Sequence, residues 1–163
     1  MENVAEKSSQ PGHETNAKSC KGCCKVNVSE ELQRYLYAQL RTIPEVATLA
    51  GGRVYDRVPS KNGQVTAQFP YVSFGPVNMI DDYADCVDGE THTIQLDVWS
   101  RAVGQGECKN IVDGIRKSLN RSQPELDENA VVGVNIPISQ IVRDPDGLTT
   151  HGIIQVEIMV EVM

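Results

Sequence analysis

At 163 residues and 40% hydrophobic, the chain is long enough for one ordinary domain, and no composition shift after the first quarter marks a second. Twenty-two acidic against fifteen basic residues give a net charge of −7, which opposes tight phosphate binding and disfavours a nucleic-acid-gripping role. The start of the chain has neither the basic nor the apolar segment of a secretory signal, and no apolar run spans a membrane, so assembly in the cytoplasm is expected.

Residues 1–26 are rich in Ser, Lys, Gly, Asn and Glu and have almost no large apolar side chain. Such a segment buries too little to offset its ordering entropy, so a flexible arm is expected ahead of a domain over 27–163. The arm carries Cys20, Cys23 and Cys24, three of the chain's five cysteines.

Asn27-Val-Ser-Glu30 fits a capping box, with Glu30 and Glu31 suited to the positive end of a helix. Leu32, Tyr35, Leu36, Leu40 and Ile43 recur at spacings of three and four, which predicts one apolar helix face up to Pro44. A short second helix from Pro44 would end at Gly51-Gly52. Strands are predicted over Arg53 to Val58 and Tyr71 to Met79, with a Lys-Asn-Gly loop between them.

The acidic stretch Asp81-Asp-Tyr-Ala-Asp-Cys-Val-Asp-Gly-Glu90 reads as a loop leading into a strand from His92. In that strand Ile94, Leu96 and Val98 share one face, while Gln95, Asp97 and Trp99 share the other, the pattern of a half-buried strand. Cys108, Ile111, Val112, Ile115 and Leu119 then fall on one side of a helix reaching about Asn120. Val132, Val134, Ile136 and Ile138 alternate as a strand, and Pro137 places it at an edge or on a bulge. Asp144-Pro-Asp-Gly147 closes a hairpin with a last strand in which Ile154, Val156, Ile158, Val160 and Val162 face one way. The fold class is therefore α+β: an antiparallel sheet of about four to five strands, two main helices on one face, and an extended N-terminal arm.

Several chemistries are weighed on the cysteines and histidines. His13 with Cys20, Cys23 and Cys24 offers enough ligands for one tetrahedral zinc, but a full finger or ribbon brings a second pair at a fixed distance and this chain has none. A small redox or zinc-binding module stays as the reading from another class. Cys108 lies among Ile111, Val112 and Ile115 with no basic neighbour to activate it, so it reads as an inert core thiol, and His92 and His151 read as structural or surface residues at strand starts. Gly104-Gln-Gly106 is a plain turn, and the carboxylates of 81–90 lack the spacing of a calcium loop. No cofactor is expected.

Taken in order, Gly51-Gly-Arg-Val-Tyr-Asp-Arg-Val-Pro, Phe69-Pro-Tyr-Val, Thr91-His-Thr-Ile-Gln-Leu-Asp-Val-Trp-Ser-Arg and Arg143-Asp-Pro-Asp-Gly-Leu-Thr-Thr-His-Gly resemble the tail-completion family of tailed bacteriophages and gene-transfer particles. The resemblance runs from about Leu32 to Val162. It implies a virion protein like the lambda-type tail terminators: a hexameric ring on the tail tube that presents the joining surface for the head-side connector, with no catalysis. A neck or stopper ring protein is the neighbouring alternative. The partners implied are further copies of the chain, the tail tube protein and the head-side neck protein, with genomic DNA passing through unbound and no membrane involved.

Within that picture Trp99 and the edge strand at Pro137 are expected at the subunit contact. Asp81, Asp82, Asp85, Asp88 and Glu90 are expected to line the channel and repel phosphates, the plain alternative being a solvated outer loop. Virions leave the reducing cytoplasm, so an intersubunit disulfide among Cys20, Cys23, Cys24 and Cys86 is also expected.

Overall fold

The computed structural model describes residues 27–84 and 87–162. Helix α1 (Val28–Thr42) starts at Asn27, whose Oδ1 accepts a 2.9 Å hydrogen bond from the Ser29 amide. Its apolar stripe, Leu32, Leu36 and Leu40, is fully buried. The short α2 (Pro44–Leu49) follows, and Gly51 and Gly52, at φ of 55° and 67°, turn the chain into the sheet.

Strand β1 (Val54–Tyr55) is brief, and β2 (Ser60–Lys61) and β3 (Gln64–Val65) form a separate small hairpin about Asn62-Gly63. The main strands are β4 (Tyr71–Ala84), β5 (Val87–Ser100), β6 (Ala130–Arg143) and β7 (Thr150–Glu161), with α3 (Gly106–Leu119) between β5 and β6. They pair in the order β1-β4-β5-β7-β6. The α+β expectation holds with one amendment: β1 runs parallel to β4, so a mostly antiparallel sheet is mixed at that margin.

The helices cover one face. Ile94, Leu96 and Val98 of β5 and Ile154, Val156, Ile158 and Val160 of β7 lie with the stripes of α1 and α3 in one continuous core. Burial along β7 alternates strictly with a period of two, as the sequence predicts.

Two expectations are corrected. The acidic stretch is not a loop: β4 and β5 stay paired through Asp81↔Glu90, Asp82↔Gly89 and Tyr83↔Asp88, so it forms the far end of a long hairpin. The apolar run of β6 does not keep one face, because bulges between Val131 and Gly133 and between Asn135 and Ile138 each shift the register. Val132 and Ile138 are consequently exposed while Val134 is buried. Pro137 sits in the second bulge on an outer strand, and so satisfies both of the places that the sequence leaves open for it.

Candidate assembly surface

The face of the sheet away from the helices carries the residues that alternate with the core: Thr93, Gln95, Asp97 and Trp99 on β5 beside His151, Ile153 and Gln155 on β7. Register alone brings Trp99 opposite His151, and their rings stack at 3.9 Å between centroids and 7° between planes. The His151 Nε2 lies 2.7 Å from Asp97 Oδ1, which also accepts from Gln95 Nε2 at 2.9 Å. Trp99 Nε1 donates to Ser73 Oγ across the sheet at 3.1 Å. Gly75 leaves room for the carboxylate, since a Cβ there would come within 2.6 Å of Asp97 Oδ2. This polar network is satisfied within the subunit and holds Trp99 half-buried, with part of its ring open to a partner.

Aromatic rings continue towards the end of β5. Tyr71 pairs with Trp99 across β4 and β5 and lies near Phe69 and Tyr55, at 5.1 Å and 5.7 Å between centroids. The Arg101 guanidinium sits 4.4 Å above the Phe69 ring and donates from Nε to Thr149 Oγ1. Burial pushes the Tyr71 phenol above its ordinary pKa, with Arg101 pulling the other way. In the turn, Asp146 accepts from Thr149 and Leu148, and these bonds, aided by Arg101, hold its carboxyl below the usual range. Trp, Tyr and Arg are the residue types that dominate the energetics of protein interfaces.

A model of the tail completion protein gp17 family matches residues 34–161. The chain belongs to that family. It is a structural component of a virion tail and not an enzyme. Fifteen chains of solved structures match it. One of them, from the virion of a native gene transfer agent particle, is 26% identical with a TM-score of 0.73, covering 83% of this chain and 98% of the other. No curated protein matches the chain.

Trp99 therefore stands on the face assigned to it from alternation, although it is already partnered by Ser73 and His151. The residues expected to line a channel divide. Asp81 and Glu90 pair with each other on the helix side of the hairpin, Asp88 shares that side, Asp82 is on the opposite side, and Asp85 lies outside the described residues. His13, Cys20, Cys23, Cys24 and Cys86 also lie outside them. Cys108 is fully buried, and burial, with Glu107 adding to it, pushes its thiol up to about 11.

Two buried polar side chains escape a pattern-based reading. His92 does not open its strand: it sits within β5, fully buried, between Ser29 Oγ at 3.1 Å and Glu90 Oε2 at 2.7 Å. Glu31, read from its position as a helix-dipole residue, is buried and accepts from the Glu128 amide and from Asn129 Nδ2. Among the described residues no group of three or more His, Cys, Asp or Glu could hold a metal. Among the same residues no helix is long and apolar enough to cross a membrane.

Proposed function

We propose that this tail completion protein acts as a tail terminator, its copies closing into a ring that caps the tail tube and presents a joining surface to the head-side neck. The observation that carries this reading is the helix-free face of the sheet, where Trp99 and Phe69 are half-buried and Arg101 lies exposed over the Phe69 ring, with Tyr71 buried beneath them. Work is done by surfaces. A ring of identical subunits needs two different patches that meet and close, and six copies are taken from the resemblance to lambda-type terminators.

In the ring, Asp81, Asp88 and Glu90 would put carboxylates at the far end of the β4–β5 hairpin, where negative charge keeps passing DNA from adhering. Cys20, Cys23, Cys24 and Cys86 would then cross-link neighbours once the particle meets an oxidising medium. Non-reducing electrophoresis of particles should show a ladder of cross-linked species, and a lone monomer band would count against the cross-link.

The reading is tested by light scattering on the purified chain and by imaging of the assembled neck. A hexamer of the chain, found between tail tube and head, is expected. A protein that stays monomeric at every concentration and is absent from particles would overturn it, and Trp99→Ala leaving the ring intact would remove Trp99 from the contact.

A further inference from the structure

The two ends of the long hairpin system carry opposite chemistry. Near the far end of the paired β4 and β5, on the helix-free face, Ile80 and Met159 both flank Thr91 and are 64% and 40% exposed. Asp82 and Glu161 flank Gly89 two residues further out, and Glu157 lies two residues further in. No Lys or Arg occurs in β4, β5 or β7, so nothing on these strands neutralises this patch.

At the other end, Arg101, Val103, Arg143 and Leu148 line a cleft between the loop after β5 and the β6–β7 turn. Val103 and Leu148 are among the most exposed large apolar residues of the described chain, and Arg143 has no ion pair there. Arg101 is paired with Asp146 at 3.5 Å, so the unpaired positive charge of the cleft is that of Arg143. Ten residues of extended strand separate Thr91 from Arg101, about 30 Å, so the two patches do not meet within one subunit.

We propose that a second copy of this chain occupies each patch: the Ile80–Asp82–Met159–Glu161 surface of one subunit seats in the Arg101–Arg143 cleft of the next. Each side brings apolar groups to desolvate, and the unpaired charges are opposite: the Asp82 and Glu161 carboxylates on one side, the Arg143 guanidinium on the other. The two surfaces are different parts of the molecule, so the contact is heterologous and repeats from copy to copy until it closes. This inference deepens the ring reading and rests on it.

The test uses the full chain and measures oligomer mass by light scattering, with circular dichroism as the check on folding. Arg143→Glu alone, and Asp82→Lys with Glu161→Lys, should each raise the concentration at which the oligomer dissociates by about tenfold or more. Combining all three should restore assembly. The isosteric Asp82→Asn with Glu161→Gln should weaken assembly in the same direction while leaving the fold intact. If the wild type forms a ring and these variants assemble like it, the proposed contact is wrong and the ring stands. If the wild type never assembles, the ring reading itself fails.

Discussion

Pro76 and Pro137 each sit inside a bulge near the same level of the sheet, Pro76 on β4 opposite Gln95 and Pro137 on the outer strand β6 opposite Val156. β1 covers β4 only opposite Val72 and Ser73, so among the described residues no strand pairs with the outer side of β4 at Pro76. A proline removes a donor and a bulge bends the strand, and together they stop another strand from adding to the edge. A chain guarded in this way at both margins would meet copies of itself through side chains and not by extending its ladder. Replacing both prolines, Pro76→Thr with Pro137→Thr, should open the edges to non-specific pairing. Turbidity on heating should rise earlier and further than in the wild type, and identical curves would argue against a guarding role.

Gly152 lets α3 pack tightly on the sheet. A Cβ at this position would lie 2.6 Å from Val112 Cγ2, 2.9 Å from Cys108 Sγ and 3.3 Å from Val98 Cβ. These atoms belong to a packed core with no room to yield, so Gly152→Ala should destabilise the fold by roughly 1–3 kcal/mol, read as a lower denaturation midpoint with an unchanged slope. The same packing isolates the Cys108 thiol. With its pKa pushed up to about 11, it is protonated and unreactive at pH 8, so alkylation of the native protein should leave the Cys108 peptide unmodified until denaturant is added.

The parts of the fold that were legible in the sequence are those where one local signal suffices. Leu32, Leu36 and Leu40 repeat at helical spacing, and Ile154 to Val160 alternate over a strand bounded by a Pro-Asp-Gly turn. The acidic hairpin end was not legible because Asp81, Asp82 and Asp88 have low strand propensity and read as solvated loop. Their ladder is imposed from outside, by pairing of β5 with β7 as far as Gly89↔Glu161. β6 misled for another reason: two bulges interrupt its period, so alternation read straight through places Ile138 on the wrong side. On the helix-free face the side of Trp99 was readable, but its stack on His151 depends on the register between strands about fifty residues apart in sequence, which no local pattern carries.

Trp99 is the chain's single tryptophan, so its emission reports on that stack alone. Removing the partner ring by His151→Ala should cost about 0.5–1.5 kcal/mol of stability and expose more of the indole to water. The emission maximum should move to longer wavelength in the folded subunit. Assembly should move it back towards shorter wavelength if this face is covered in the ring, and an emission indifferent to concentration would place the contact elsewhere.

Glu31 ties α1 to the segment before β6. It is 4% exposed, and its carboxylate accepts 2.9 Å and 2.7 Å hydrogen bonds from the Glu128 amide and Asn129 Nδ2. Burial works to raise its pKa, but the hydrogen bonds from Asn129, Glu128 and Asp127, helped by Arg34, outweigh it and hold the group below its ordinary value. A carboxyl lowered on folding contributes stability that is complete above its unfolded pKa and is lost as pH falls through the folded one. Glu31→Ala should therefore cost about 1–3 kcal/mol at neutral pH, because the buried bonds to the 128–129 segment go with the carboxylate. The difference between wild type and variant should shrink as the pH drops below the usual carboxylate range. A gap that stays constant from pH 7 to pH 3 would show that Glu31 acts through packing and not through its charge.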